Sequence, residues 1–316
     1  MSDEQREILG MLAEGRIDVA EAERLLAALA EGEKQRQAGE RTSGRRQAGV
    51  QEALHSVRET LAGIGPMMGR MAGEIATEFQ KDHTFPGESE AGALPEIEDL
   101  ADGRFAVAAG ERLYVRNDKV DGPGGGDMII EGIAGDRCEL EAGEARNLRV
   151  LRSSSGPVVR WSGGPLTVRV PGTAAEVLAY TLGGDARVGG VGCPVQVKSM
   201  GGDLLLADLG RRFQAKTMGG NIRIKLGAAG CEASEARTMG GNIRVDVDPA
   251  VPRTEAEAVT MGGSILVEEA VGEVDRSSSL GKQRWTVRLG GGDPAGSLRL
   301  KTMGGNIEIR RARDDQ

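Results

Sequence analysis

The chain has 316 residues, which is enough for one large domain or for two ordinary domains with extensions. Its 49 glycines and its aromatic content of only 3% argue against a conventional enzyme core and favour a fold built from repeated corners. The formal net charge of −8, without a visible basic face, gives no reason to expect a nucleic-acid partner.

The sequence shows neither a targeting signal nor a membrane span. Residues 1–30 lack the apolar core of a secretory signal, and no apolar run reaches the length of about 18 residues that a spanning helix needs. The three cysteines, Cys138, Cys193 and Cys231, have neither CxxC nor metal-ligand spacing, so we expect no disulfide framework, metal or cofactor. We expect a cytoplasmic protein, with attachment to a membrane surface left open.

Residues 1–31 have the pattern of a helical hairpin. An apolar face that includes Leu9 and Leu12 ends at Gly15, and Asp18 can cap a second helix that contains Leu25. A hairpin of about 30 residues is too small to bury a stable core alone. It should therefore dock on another surface, most simply on a second copy of itself. The runs Glu7–Ile17 and Glu21–Leu26 resemble the SHOCT-like module at the N terminus of bacterial proteins.

A polar linker over residues 32–49 precedes an amphipathic helix that we predict at 50–81. Apolar residues alternate spacings of three and four along it, which is a heptad seam, although Pro66 and several glycines interrupt the pattern. The helix can pack on its own β domain, associate with another copy, or lie on a membrane surface. The candidate interaction residues are Leu54, Val57, Leu61, Ile64, Met68, Met71 and Ile75.

A second linker at 82–95 leads into a β region that we predict at 96–310, followed by a tail at 311–316. The first strands, from near Phe105, repeat poorly, as the capping portion of a repeat array should. Gly122–Asp127 is predicted to be a loop.

The second half of the chain is organised around a repeated corner, Thr-Met-Gly-Gly-Asn-Ile. Looser copies start at Thr181, Ser199 and Thr260, and the spacing of about 20 residues indicates a stacked repeat architecture. The copy at Met303 follows Met261 by two periods, so we expect a degraded copy at Leu280-Gly281 between them. The corner residues are Thr217, Met218, Gly219, Gly220, Asn221, Thr238, Met239, Gly240, Gly241, Asn242, Thr302, Met303, Gly304, Gly305 and Asn306.

Apolar residues alternate on both sides of each corner, which is typical of strands with one buried face. Two short strands joined by a corner and repeated predict a mainly β fold, a single-stranded β-solenoid (β-helix) with coils of about 20 residues. In it Ile222 stacks between Leu204 and Ile243. The polar residue after each Gly-Gly should form a ladder along Asp185, Asp203, Asn221, Asn242, Ser264 and Asn306.

The corner contains two further features, its glycines and its methionines. We expect its glycines because a sharp bend needs positive φ and no Cβ. The methionines at 200, 218, 239, 261 and 303 have the opposite parity to the neighbouring threonines, so a regular strand would expose them as an apolar ridge. Because corners break parity, we favour a buried methionine column over an exposed one.

The β region also resembles a known family. Leu166–Pro171 and the Thr-x-Gly-Gly-[Asp/Asn]-[Ile/Leu] corners up to Ile309 are similar to the Toastrack, or adhesin-like, β-repeat family, a domain of unknown function. The family's usual Ser-Gly-[Asp/Asn] is replaced here by Met-Gly-Gly. This resemblance implies a scaffold or surface protein associated with bacterial cell-envelope stress, and it implies no catalytic residues.

We therefore predict a non-enzymatic scaffold that has protein partners and self-associates through its N-terminal helices. One alternative is a carbohydrate-active or carbohydrate-binding β-helix, which would need outward carboxylates and aromatic side chains to converge in one groove. The other is a peripheral membrane stress sensor that works through residues 50–81.

Overall fold

A computed structural model describes residues 94–97, 103–117, 126–143, 145–279 and 282–313 of the chain. All of them belong to one unit that spans Thr77–Gln316. The predicted hairpin at 1–31, the linkers at 32–49 and 82–93 and the predicted helix at 50–81 lie outside the described residues.

Within the described residues the chain forms 21 strands and a short 3-10 helix at Glu269–Val271. The strands are β1 Arg104–Ala106, β2 Arg112–Asn117, β3 Met128–Ile133, β4 Arg137–Ala142, β5 Arg146–Ser153, β6 Gly156–Ser162, β7 Leu166–Pro171, β8 Glu176–Thr181, β9 Ala186–Gly189, β10 Val195–Ser199, β11 Leu204–Ala207, β12 Phe213–Thr217, β13 Ile222–Leu226, β14 Ser234–Thr238, β15 Ile243–Val247, β16 Pro252–Thr260, β17 Ile265–Val267, β18 Gly272–Ser279, β19 Lys282–Leu289, β20 Gly291–Thr302 and β21 Ile307–Arg311.

These strands make two large sheets. The 10-stranded sheet has the order β1-β4-β7-β3-β9-β11-β13-β15-β21-β17. The 11-stranded sheet has the order β18-β19-β16-β20-β14-β12-β10-β8-β2-β6-β5. The fold is therefore mainly β, as the alternating pattern predicted.

The middle of the chain alternates between the two sheets. From β8 to β17 each strand in the 11-stranded sheet is followed, after a Gly-Gly bend, by a strand in the 10-stranded sheet. We call such a strand pair a layer. In the described part of the chain eight layers stack in the order β6/β7, β2/β3, β8/β9, β10/β11, β12/β13, β14/β15, β20/β21 and β16/β17. Adjacent layers pair in parallel, in the register that places Ile222 opposite Leu204 and Ile243.

The order of the layers departs from chain order at both ends. Layer β2/β3 lies between β6/β7 and β8/β9, and layer β20/β21 lies between β14/β15 and β16/β17. Thr302 is consequently opposite Thr238 on one side and Thr260 on the other. The prediction that Met303 lies two periods beyond Met261 is therefore wrong. The strands on either side of Leu280-Gly281, β18 and β19, pair antiparallel in one sheet, whereas a bend joins strands of different sheets.

The core lies between the two sheets and consists of apolar columns that run along the stack. In the 10-stranded sheet Leu204, Ile222, Ile243 and Ile307 are at most 1% exposed. The buried side chains of the 11-stranded sheet range in size from Ala236 to Phe213. Each fully buried aliphatic side chain of this size stabilises the fold by about 1.5–3 kcal/mol. The alternation in the sequence thus identified the inward positions correctly.

Antiparallel strands extend the stack at both ends. At one end β5 pairs with β6, while β4 pairs with β7 and β1 pairs with β4. At the other end β19 pairs with β16 and β18 pairs with β19. In the 10-stranded sheet the layers end at β17, which has only three residues. Short or charged edge strands of this kind limit edge-to-edge aggregation.

Candidate functional site

The second glycine of each bend touches the neighbouring layer. A Cβ on Gly220 would lie 2.0 Å from the carbonyl oxygen of Gly202, and one on Gly241 would lie 1.9 Å from that of Gly220. A Cβ on the first glycine, Gly219, would have no atom nearer than 4.0 Å. Neither Gly219 nor Gly220 has a φ in the left-handed region. The predicted need for positive φ is therefore wrong at this bend, and close approach of backbone from the next layer is the reason for its second glycine.

At four of the bends a buried threonine, at position 217, 238, 260 or 302, joins two layers. Thr238 Oγ1 accepts a hydrogen bond from Gly241 N at 3.1 Å and donates one to Gly220 O at 2.9 Å. Thr302 Oγ1 does the same with Gly305 N at 3.1 Å and Gly241 O at 2.9 Å. These hydroxyl groups are fully buried, so they satisfy backbone groups that would otherwise be unpaired inside the protein.

The polar residue after each bend forms a ladder on the surface. The backbone N–H of Asn242 donates to Asn221 Oδ1 at 2.9 Å, and that of Asn306 donates to Asn242 Oδ1 at 2.8 Å. In stack order the ladder runs along Asp127, Asp185, Asp203, Asn221, Asn242, Asn306 and Ser264.

The sequence interpretation missed the first step of this ladder. Asp127, placed in a predicted loop, accepts a hydrogen bond from Asp185 N at 3.1 Å through its Oδ1. A Cβ on Gly126 would lie 1.9 Å from Gly164 O, as at the second glycine of the other bends. The signal was available, because Gly126-Asp127-Met128 has the same Gly-Asp-apolar pattern as the bend at Gly202.

The methionine row lies on the outside of the bends. Met200 is 43% exposed, Met218, Met239 and Met261 are half-buried, and only Met303 is buried, at 7%. The prediction of a buried column is therefore wrong for four of the five. The strand pairing still holds at this position, since Met218 N donates to Ser199 O at 3.3 Å. A side chain that follows an inward threonine in an extended strand must point outward.

A cluster of charges occupies the outer face of the 10-stranded sheet. Asp246 has only 8% of its side chain exposed. It forms ion pairs with three arginines, Arg223 at 3.3 Å, Arg244 at 3.2 Å and Arg310 at 2.5 Å. At the opposite end of this face Arg169 lies among three glutamates, at 2.8–4.0 Å from them. Hydrogen bonding to Glu141 raises the pKa of Arg169. Both clusters contain charges of both signs, since Glu308 lies 3.9 Å from Arg244 and Arg104 pairs with Glu139 at 2.9 Å; arginines outnumber carboxylates in the first, and glutamates outnumber arginines in the second.

The outer face of the 11-stranded sheet has a groove of about 530 Å³. Among its lining residues are three carboxylates, Glu235, Glu255 and Glu257. Glu257 is held between two arginines at 3.1 Å each, and Glu235 pairs with Arg237 at 2.6 Å. The residues that line the groove include no aromatic side chain on which a sugar ring could stack.

The three cysteines are free thiols, and all of them are buried. Burial raises the pKa of Cys138 to about 12 and that of Cys193 to about 11. Burial likewise raises the pKa of Cys231 to about 11. Such thiols are poor nucleophiles because the thiolate is the reactive form. No group of three or more His, Cys, Asp or Glu side chains among the described residues could hold a metal ion.

Comparisons with known proteins identify the first part of the chain. Residues 3–34 match the family model of the SHOCT-like domain. The resemblance found at Glu7–Ile17 and Glu21–Leu26 is thereby confirmed. A search of curated proteins gives no match.

One similar solved structure comes from Clostridium sporogenes and is described as "a putative cell adhesion protein". Its TM-score is 0.37 and its sequence identity is 9%, with 66% of this chain and 97% of that chain covered.

The second candidate site follows the SHOCT-like domain. The seven apolar residues of the predicted helix, from Leu54 to Ile75, lie outside the described residues. In the ranges that the structure describes, no helix is long and apolar enough to cross a membrane.

Proposed function

We propose that the protein is a non-enzymatic scaffold, in which a rigid β-solenoid is brought together with other copies by the SHOCT-like domain. The observation that carries this proposal is the continuity of the ladders through the stack. Apolar columns, buried threonine hydroxyls and the surface ladder each pass from layer to layer in register. Such an array resists bending because every layer is bonded to both of its neighbours.

The solenoid interpretation rests on alternation and parallel pairing. A chain that visits two sheets in turn, and pairs each strand with its equivalent in the next layer, winds around a common axis. The layers at the two ends are out of chain order, but they pair in parallel with their neighbours as the layers between them do. The stack therefore presents long flat faces, which suit a scaffold more than they suit a catalytic cleft.

The chemistry of these faces supports a role in binding. Two of the three carboxylates in the groove form ion pairs with arginine. Polysaccharide cleavage needs two carboxyl groups, one that acts as an acid and one that acts as a base or nucleophile, and these ion pairs do not favour such roles. The buried thiols are not placed to act as nucleophiles. By contrast, the clusters around Asp246 and Arg169 give the 10-stranded sheet a charge pattern that can select a partner.

We assign the assembly role to the N-terminal region. A SHOCT-like domain of about 30 residues gains stability by docking on another surface. The heptad seam from Leu54 to Ile75 supplies a second self-association segment. The resemblance of the β region suggests a function in bacterial cell-envelope stress.

The test is the mass per particle of the full chain, measured by size-exclusion chromatography with light scattering. We expect deletion of residues 1–31 to lower this mass at least twofold, because the hairpin that joins the copies is then absent. Deletion of the polar linker 35–47 is the matched control and should leave the mass per particle of the complex unchanged apart from the residues removed. Equal oligomer numbers for the full chain and the 1–31 deletion would contradict the proposal.

Binding to a membrane surface is the alternative role for residues 50–81. The methionine-rich apolar seam, with Met68 and Met71, is of a kind that adapts to lipid. If this role is correct, the intact chain should sediment with anionic liposomes and a chain lacking 50–81 should not. Equal sedimentation of the two chains would exclude it.

A further inference from the structure

The strand pair β20–β21 is inserted between two layers that precede it in the chain. β20 pairs with β14 on one side and with β16 on the other. β21 likewise lies between β15 and β17. All four neighbours are complete before residue 290, so the place that β20–β21 fills is defined by residues that come earlier in the chain. The pair is strongly buried, with Leu300, Ile307 and Ile309 fully enclosed.

The inserted pair also connects the end of the stack to the rest of it. β16 and β17 make no strand pairing with β14 or β15 in the described part of the chain, because β20 and β21 lie between them. The segment Pro252–Leu289 is therefore joined to the other layers through hydrogen bonds with β20–β21 and through the short connection after β15. Removing the inserted pair would leave unpaired edges on both sides of the gap.

The contacts of the inserted layer are the ordinary contacts of a bend. Thr302 Oγ1 donates to Gly241 O, Asn306 N donates to Asn242 Oδ1, and Ser264 N donates to Asn306 Oδ1 at 2.8 Å. The same segment from a second copy of the chain would make every one of these bonds equally well. This equivalence is the condition for exchange of an element between identical protomers.

The connection that leads into the inserted pair is short and rich in glycine. β19 ends at Leu289 on the far side of β16, and β20 begins at Gly291 on the near side. Gly290 has φ +68° and passes so close to β16 that a Cβ would lie 2.1 Å from Val251 O. Gly292 has φ +86°. A cavity of about 320 Å³ lined by Gly290, Val251 and Arg311 lies at this crossing. A tight hinge of this kind favours exchange between copies.

We propose that two copies of this chain exchange the segment 291–313, so that β20–β21 of each copy fills the gap between β14/β15 and β16/β17 of the other. The partner is a second copy, and the interface is the pair of parallel edges on either side of the inserted layer. This goes beyond the proposed role of the SHOCT-like domain, because it uses the opposite part of the chain and does not require residues 1–81.

The test uses two full-length variants that are expressed in the same cells, since exchange takes place during folding. One carries Asn242→Cys and the other carries Asn306→Cys. These positions are exposed neighbours in the ladder, and equivalent Cα atoms of adjacent strands are about 4.8 Å apart, which a disulfide can span. Exchange places the new thiol at position 242 of one chain beside the new thiol at position 306 of the other. A disulfide-linked heterodimer should therefore appear, in up to about half of the exchanged dimers.

The matched control pairs Asn221→Cys with Asn242→Cys. These are also ladder neighbours, but neither lies in the exchanged segment, so they meet only within one chain and should give no heterodimer. A second pair, Arg244→Cys with Glu308→Cys, tests the same boundary in the 10-stranded sheet, and Arg223→Cys with Arg244→Cys is its control.

The results separate cleanly. A heterodimer in both test pairs and in neither control supports exchange. Absence of the heterodimer in the test pairs, or equal amounts in tests and controls, overturns it. A double variant, Asn242→Cys with Asn306→Cys in one chain, should close between chains if exchange occurs and only within the monomer if it does not. The disulfide readout does not depend on residues 1–31, so a result against assembly through the SHOCT-like domain leaves it unchanged. Failure of one proposal is therefore distinguishable from failure of the other.

Discussion

Substitution of the two glycines of one bend should have very different effects on stability. In Gly220→Ala the new methyl carbon starts 2.0 Å from the carbonyl oxygen of Gly202, and both are parts of the backbone or fixed to it. No side-chain rotation can relieve this contact, so layers β12/β13 and β10/β11 must separate locally by about 1 Å. In Gly219→Ala the methyl group meets nothing nearer than 4.0 Å and the backbone needs no left-handed φ.

The expected magnitudes follow from these distances. Overpacking that moves backbone costs about 3 kcal/mol, the upper part of the usual range. The separation also stretches the hydrogen bond from Thr217 Oγ1 to Gly202 O, now 3.1 Å long, at a further cost of about 1 kcal/mol. We therefore expect Gly220→Ala to destabilise the β region by about 3–4 kcal/mol. Gly219→Ala should be neutral, or stabilising by up to about 1 kcal/mol, because it restricts the unfolded chain.

The assay is urea unfolding of the full-length variants, followed by circular dichroism in the β-sheet band. The difference between the two midpoints is the quantity to compare, because a repeat array need not unfold in two states. Gly241→Ala and Gly240→Ala provide an independent pair in the next layer, with nearest contacts of 1.9 Å and 3.9 Å. If both members of a pair shift the midpoint equally, close approach is not the reason for the second glycine.

Two further predictions concern the core and the thiols. Ile222→Asp should destabilise the fold by several kcal/mol, because it places a carboxylate without a partner in a dry column, while Asn221→Ala should cost about 1 kcal/mol through one ladder bond; similar urea midpoints for the two would show that the inward positions are misassigned. Because the thiol pKa values are raised in the folded state, unfolded thiols ionise first, so stability should fall as pH rises from about 8.5 towards about 11–12. A variant with alanine at all three cysteines should show a shallower decline of melting temperature over that range, and an identical decline would refute this cause. The cysteines are Cys138, Cys193 and Cys231.

Local features of the fold could be predicted because they depend on nearest neighbours in the sequence. Period-two alternation placed Ile222 and Ile243 inside, and the shared bend motif placed Asn221 and Asn242 in one ladder. The prediction of buried methionines was wrong because corners were expected to break the inward-outward alternation of the strand, whereas the strand pairing continues to Met218. The predicted reason for the second glycine was wrong on other grounds. The atom that excludes a Cβ at Gly220 belongs to Gly202, 18 positions earlier, and this contact exists only once the layers are stacked.

The order of the layers could not be predicted because the bends are nearly interchangeable. The copies at Thr217, Thr238 and Thr302 have the same six residues, so each can stack on either of the others with equivalent hydrogen bonds. Nearest-neighbour energies then differ little between the chain order and the observed order. What separates them is the connections, such as the passage at Gly290, and the antiparallel strands beyond each end layer.

At both ends of the stack a layer is inserted one position inward of the end, and this departure from chain order stabilises the end layers. A layer at the end of a stack is bonded on one side, whereas a layer inside it is bonded on both. The first and last layers to appear along the described chain, β2/β3 and β20/β21, both lie one position inward of the end. The outermost layers, β6/β7 and β16/β17, are instead formed by segments that continue into antiparallel strands on the outer side. Every layer therefore has a hydrogen-bonded neighbour on both sides in at least one sheet. Only β17, with its three residues, leaves a layer edge without a further strand in the described part of the chain.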